Sequence, residues 1–400
     1  TPSLLLHRTL SRAMILLCVS VALSLRHCSR HHESRFRISA YAGSTQSITR
    51  QHGAGQQLLM QDVLIIGTGM AATALANSLA GKARVTLMEK SRGFGGRMAT
   101  RRREGFEFDH GAQFFTARSP AFQQFLARPV ERACIAEWQP RLTTLEAGSE
   151  PYKREWFEPH FVATPSMNSL CKESLKALEG SVTISLGCEV GSLEKIDSGD
   201  APCRWRVFAK QTDGQREVLG EFDWVLSTAP SAQTSTLFAN TNFSLLARLH
   251  GAVHLPCFSL MLGLATSPKF NFDLATVKAS PIALIVANAS KPQRGASHSL
   301  LVHSDNGWAR ENFDADRAVI QQQLIDASCS LLGLDAASIV HSDLHGWRFA
   351  KTECAADEDF LLDSDSQLAA CGDWCLGGRI EDAFLSGQRL GLSLVNLFSS

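Results

Sequence analysis

The residues with the clearest chemical potential are a set of glycines and one carboxylate between positions 63 and 103. In VLIIGTGMAA, Gly67, Gly69 and Ala72 spell GxGxxA directly after an apolar run. Glycine at 67 permits a tight turn, and the missing side chain at 69 lets a pyrophosphate approach the backbone. Ala72 is small enough for a helix to pack closely on a strand. Thr68, Met70 and Ala71 complete the turn and the first helical positions, where free amide groups attract phosphate. Glu89, followed by Lys90, stands twenty residues past Gly69. A carboxylate there accepts hydrogen bonds from ribose hydroxyls and repels a 2′-phosphate. The chemistry predicted is dinucleotide binding, with NADP disfavoured at this first site.

These residues need a strand, a helix and a second strand to position them. DVLIIG is a short continuous apolar run, as expected for a parallel strand covered on both faces. MAATALANSLAG supplies the helix and ARVTLMEK the next strand. Other site chemistries are not encoded. There is no Ser-His-Asp order, no P-loop and no metal-ligand spacing, so no metal is expected. The eleven cysteines form no CxxC pair, and Cys371 and Cys375 are four apart. Scattered thiols of this kind read as reduced residues in a reducing compartment, not as a disulfide framework or zinc site.

Seven of the 39 basic side chains and one of the 39 acidic ones lie in residues 1–60, so the remainder carries 32 basic and 38 acidic groups, a net of −6. A mildly acidic body argues against a nucleic-acid partner, which calls for clustered basic surface. Residues 1–60 are excluded from fold reasoning. AMILLCVSVALSL spans thirteen residues, too few to cross a bilayer. Its Arg- and Ser-rich, acid-poor flanks fit a signal or transit peptide, or a segment that is not natural coding sequence. A cytoplasmic location is expected, or an organellar or secreted one if the segment is a targeting peptide.

After Glu89, EKSRGFGGRMAT places Gly95, Gly96 and Arg97 before Met98. This resembles the ExxxxxGGR extension of the amine-oxidase superfamily of flavoproteins, which implies FAD, with Arg97 at the pyrophosphate. A surface turn with a solvated arginine is the alternative. FEFDHGAQFFTA resembles the superfamily segment that passes the flavin ring, so His110, Gln113 and Phe114 become candidate flavin neighbours. FDWVLSTAP resembles a strand that ends at the flavin, and Val190 falls where such folds lay backbone against adenine. In CGDWCLGGRIEDAF, the resemblance assigns Gly372 and Asp373 to the ribityl and pyrophosphate region. It also aims the helix after Gly378 and Glu381 at the flavin.

Together with EWQPR, ATPSMNSL and GWRFA, these motifs resemble the renalase-like branch of the FAD-dependent amine-oxidase-type oxidoreductases over residues 61–396. The chain departs from the family pattern at Ala72, Ser166 and Phe349. The resemblance implies an α/β fold, with a Rossmann-type FAD-binding domain of glutathione-reductase-like topology and an inserted α+β substrate domain. FAD-binding segments are expected at 61–117, 181–232 and 346–400, with substrate-domain segments at 118–180 and 233–345. Within the insertion, TPSMNSLCKESLKALEG reads as a helix capped by Ser166 and closed by Gly180, and turns are expected at DSGDAP and TDGQ.

The activity implied is hydride transfer from a small substrate to FAD, with dioxygen as acceptor and hydrogen peroxide as product. The substrates implied are dihydronicotinamide isomers, with a small amine or a non-catalytic redox sensor as alternatives. Only two tyrosines occur, Tyr41 and Tyr152. That argues against a tyrosine cage, and leaves Trp308, Trp347 and Trp374 as candidate aromatic walls. His110 and Arg348 complete the candidate substrate-facing set.

Overall fold

The computed structural model describes residues 60–153, 155–196, 204–211 and 216–400. Residues 1–59 of the leader expected at 1–60, and the turns expected at DSGDAP and TDGQ, lie outside the described residues. The nucleotide side is a six-stranded sheet ordered Leu361–Asp363, Leu368–Ala370, Trp224–Ser227, Asp62–Ile66, Arg84–Glu89 and Val182–Leu186. All neighbours are parallel except the edge hairpin of Leu361–Asp363 on Leu368–Ala370. The first strand is central because both of its faces are apolar: Val63, Leu64 and Ile65 are fully buried.

The helix Met70–Leu79 covers one face and is itself covered by the long helix Ile380–Phe398. Small residues set that approach. A Cβ on Gly387 would lie 2.2 Å from the Ala71 carbonyl oxygen, and one on Gly391 would lie 2.4 Å from Ser78 Cβ. Ala71 and Ala72 therefore serve helix-on-helix as well as helix-on-strand packing.

The second layer is a seven-stranded sheet ordered Ile339–Cys354, Val253–Leu264, Ser299–Ser304, Ile282–Ala287, Leu274–Lys278, Leu142–Glu146 and Tyr152–Lys153. Alternate side chains point to opposite faces. Phe258, Leu260 and Leu262 pack under the helix Arg317–Leu332, with Phe313, Ile320 and Leu324. Met261 and Leu301 face the other way, against Met98, Phe108 and Phe384. That second face meets the nucleotide-binding elements.

Two expectations change. The strand Ile339–Cys354 runs unbroken through the boundary expected at 345/346, and its whole length pairs in the seven-stranded sheet. The helix expected from Ser166 to Gly180 covers only Ser169–Lys176. Ser166 bonds the Asn168 and Ser169 side chains and caps no helical amide, while Gly180 turns the chain later at a φ of +88°.

Candidate cofactor and substrate site

The carboxyl ends of the parallel strands collect the glycines. Gly67 leaves the first strand at a φ of +112°, and a Cβ there would lie 2.5 Å from Thr228 Oγ1. Gly69 starts the helix with no side-chain cap, and the nearest atom to a Cβ at 69 is the Gly95 carbonyl oxygen at 3.9 Å. Uncapped first-turn amides beside open backbone are what a pyrophosphate requires. Glu89 is buried, and its carboxylate accepts from Thr68 N and Oγ1 at 3.0 and 3.1 Å and from Ser91 N at 2.8 Å. It therefore holds the glycine turn in place as well as standing where a ribose is expected. Lys90 is exposed beside it, and the Cys188 amide donates to the Glu89 carbonyl, which brings the start of the Val190 strand to this corner.

Gly95 and Gly96 fold back over this turn, with the Gly95 amide donating to the Thr68 carbonyl. Arg97 then forks onto Asp373, with Nη1 2.9 Å from Oδ2 and Nη2 on Oδ1. The two glycine motifs, 276 residues apart, thus meet as a bidentate ion pair. Thr352, Gly378 and His254 border the same pair. Gly111 lies against the Arg97 carbonyl: a Cβ at 111 would sit 1.9 Å from that oxygen, and the next amide, Ala112 N, donates to it at 2.8 Å.

This contact seats the His110–Gly111–Ala112 loop. The His110 carbonyl accepts from Trp347 Nε1 at 2.9 Å, and the two rings stack with centroids 5.1 Å apart. His345 meets both rings edge-on. Arg101 bridges Asp343 at 2.8 Å and His345 Nδ1 at 3.1 Å, so that nitrogen accepts and His345 Nε2 carries the proton. Burial, joined by neighbouring positive or titratable groups, lowers His110 to about 3 and His303 and His345 to about 4. All three rings are neutral at pH 7.

Behind the loop is a buried ion cluster. Asp109 Oδ2 accepts from Lys291 Nζ at 3.1 Å and from Arg294 Nε and Nη2 at 2.9 and 2.7 Å. Its Oδ1 accepts from Thr100 Oγ1 at 2.6 Å and from Met167 N at 3.1 Å. Burial raises this carboxyl, but Lys291 and Arg294 together with the Thr100 and Met167 bonds outweigh it and hold it far below the usual range. Gln113 spans Asp109 and Gly111 carbonyls through Nε2 and takes Lys291 on Oε1 at 2.9 Å.

Several candidates fall elsewhere. Trp308 packs edge-on against Phe258, and Arg348 lies over Phe313 and pairs with Asp314. Both belong to the opposite face of the seven-stranded sheet, so the substrate-facing role expected of them is withdrawn. The reason is strand alternation: Trp347 and Arg348 are neighbours and point opposite ways. Trp374 is a fully buried core residue that donates to the Ala229 carbonyl. The Met98 side chain is buried near Cys171, and Met70 is core as well. The Glu381 carboxylate, at the start of the helix expected to face the flavin, accepts from the amides of Arg118 and Ser119. Sequence reasoning missed His254, His303, His345, Arg101 and the Asp109 cluster. Asp343, His345 and Trp347 recur at period two on one strand, and that spacing was the readable signal.

The residues present fit FAD. The two glycine turns and the uncapped helix leave room and amides for a pyrophosphate. Two buried nitrogens, His110 Nδ1 and His254 Nε2, have no hydrogen-bond partner in the polypeptide; the first lies on the loop where a flavin ring is expected, and the second borders the Arg97–Asp373 pair, where the pyrophosphate is expected.

The comparisons with known proteins agree with this architecture. Residues 65–129 match the NAD(P)-binding Rossmann-like domain family. A protein of Exiguobacterium sp. 255-15 assigned as a protoporphyrinogen oxidase superposes with a TM-score of 0.64 at 13% identity, covering 86% of this chain and all of that one. A single-site mutant of putrescine oxidase gives 0.62 at 12% identity, over 85% and 99% of the two chains. Wild-type putrescine oxidase bound to putrescine gives 0.59 at 11%, over 84% and 99%. The chain thus has the Rossmann-containing α/β fold seen in these oxidases. Among the described residues, no helix is long and apolar enough to cross a membrane.

Proposed function

We propose that this protein is an FAD-dependent oxidoreductase that takes a hydride from a small planar substrate. The observation that carries the reading is the Arg97–Asp373 pair, which closes two glycine turns over one helix N-terminus beside neutral His110 and Trp347. FAD, when bound, supplies the hydride acceptor and passes electrons to dioxygen, giving hydrogen peroxide. The chain supplies orientation and electrostatics. Arg97, whose fork holds Asp373, would exchange that carboxylate for phosphate oxygens, and Glu89 fixes the turn and would take the ribose. Trp347 holds the His110 loop in place through its indole N–H.

Dihydronicotinamide isomers are the favoured substrates. Their oxidation removes no proton from carbon, so it needs no strong base, and the three histidines here are neutral. A small amine is the second reading, and the likeness to putrescine oxidase bound to putrescine supports it. Purified protein is expected to be yellow and to release FAD on denaturation. Anaerobic stopped-flow reduction with NADH, its 2- and 6-dihydro isomers and a panel of amines separates the two readings. Faster bleaching by any amine than by every dihydronicotinamide overturns the first reading, and a colourless protein that FAD cannot reconstitute overturns both.

A further inference from the structure

His254 belongs to the substrate-facing sheet, yet it stands at the nucleotide end. It lies near the start of the strand Val253–Leu264, in register with Thr352 of Ile339–Cys354. Thr352 Oγ1 is 3.5 Å from Asp373 Oδ2. The His254 ring meets Phe349 edge-on with centroids 5.6 Å apart, and the Phe349 carbonyl accepts from Arg97 Nη1 at 3.5 Å. Two strands of one sheet thus carry an imidazole to the Arg97–Asp373 pair. Its Nε2 is buried and has no hydrogen-bond partner among the described residues. Buried side-chain polar atoms are nearly always bonded, so this nitrogen calls for a group that the polypeptide does not supply.

The charges around the ring decide what that group is. Arg97 and Asp373 face it and cancel one another. Behind Asp373, the first turn of the helix Ile380–Phe398 adds Glu381 and Asp382. Burial, then Asp373 and Glu381, push Asp382 up to about 6, and its Oδ2 accepts from the Arg379 amide at 2.9 Å. The other cations nearby are turned away: Arg118 pairs with Glu158, Arg379 is exposed, and Lys351 on the paired strand is exposed. Glu353 on that strand pairs with Arg310. Burial holds the His254 ring below the usual imidazole range, Arg97 adds to that, and Asp373 offsets part of it. The ring is therefore neutral at pH 7. A diphosphate would bring two negative charges to this corner. Arg97, on turning to it, would leave Asp373 unpaired. Phosphate and three carboxylates would then surround one guanidinium, and His254 is the group placed to add a second positive charge.

We propose that His254 binds the cofactor diphosphate as an imidazolium, donating Nε2–H to a phosphate oxygen, so that FAD binding takes up one proton. The inference rests on the FAD reading and adds to it a residue outside both glycine motifs. It also makes the substrate-facing sheet part of the cofactor site. The sign follows from linkage. The free ring is held low and phosphate raises it, so FAD affinity increases as the pH falls through the raised value. For one proton the change is at most about tenfold per pH unit, and it levels off once the free ring is also protonated. The diphosphate itself does not titrate near neutral pH.

The test reads FAD affinity, not turnover. The full chain, freed of flavin, is titrated with FAD from pH 6 to 9 by flavin fluorescence. Calorimetry in buffers of different ionisation enthalpy counts the protons taken up. The wild-type chain is expected to take up close to one proton and to bind FAD more weakly as the pH rises. His254→Gln keeps a donor but cannot titrate. Its FAD affinity is expected to be flat with pH and about tenfold weaker at pH 6. Asp382→Asn is expected to keep the proton uptake. A wild-type count of zero, a pH slope that survives in His254→Gln, or uptake lost in Asp382→Asn overturns the proposal. If His254→Gln does not fold, the wild-type count and the Asp382→Asn count still decide. A chain that binds no FAD at any pH overturns the FAD reading, whereas FAD bound without a proton overturns only the role of His254.

Discussion

The nucleotide end and the substrate-facing sheet are built on opposite plans. At the nucleotide end the charged groups are already paired within the polypeptide: Glu89 with Thr68 and Ser91, Arg97 with Asp373. Across the loop, the sheet side leaves nitrogens of His110, His254, Trp138 and Trp156 without partners. A self-satisfied site keeps its shape when empty and exchanges partners on binding. A site with orphaned buried groups owes part of its stability to whatever satisfies them. The Asp109 cluster lies between the two plans and ties one to the other.

The sharpest way to break that comparison is Asp109→Ala. It leaves Lys291 and Arg294 buried without a counter-charge, and should cost about 3–5 kcal/mol in urea denaturation. A loss under ~1 kcal/mol would mean that the cluster is solvated and links nothing. Arg97→Ala comes next, removing a charge-assisted phosphate contact of about 1.5–3 kcal/mol. FAD affinity by flavin-fluorescence titration should fall roughly ten- to hundredfold, and an unchanged value would make the Arg97–Asp373 pair purely structural. Gly111→Ala pushes a Cβ onto the Arg97 carbonyl. Overpacking of this kind costs about 1–3 kcal/mol, and it should appear as weaker FAD binding because the 110–112 loop has to shift.

The pH prediction concerns the sheet side. His110, His303 and His345 stay neutral in the fold, lowered to about 3, 4 and 4. Unfolded histidine titrates near 6.5. Their contribution to stability is therefore complete above about pH 6.5 and is lost as the pH falls toward 4. His110→Gln should flatten that slope in denaturation curves taken from pH 7 to 4, and a parallel slope would refute the burial of a neutral ring. The smallest effect is expected for Arg348→Ala, on the far face. Its stability change should stay within ~0.5 kcal/mol, with the rate of flavin reduction unaltered. A large loss of rate would return Arg348 to the site.

How much of this was legible follows the same division. GxGxxA, Glu89 and the Gly95–Arg97 turn are local, because each residue's job is set by neighbours within a few positions or by one strand–helix–strand unit. The arrangement agrees with the sequence reading there, in the order strand, turn, helix, strand. The sheet side is not local. His303, His345 and Lys291 come from three segments, and they meet only through pairings such as Cys257 with Trp347 and Ser259 with His345. Placing Trp347 and Arg348 correctly requires knowing that one strand runs from Ile339 to Cys354, because a neighbour in sequence is then the far face. Gly387 and Gly391, four apart in the C-terminal helix, were readable as a close-packing stripe, and their meaning depended on finding Ala71 opposite.

The Arg97–Asp373 clasp has a consequence for the order of synthesis. The two partners leave the ribosome 276 residues apart, which at ordinary elongation speeds is roughly 15–55 s. Throughout that interval the glycine turn, the first helix and Glu89 exist without the carboxylate that faces Arg97, and without the helix that covers Met70–Leu79. Under the proposed FAD chemistry, a nascent chain stalled before residue 370 should carry no flavin, because the clasp closes only once Asp373 has been made.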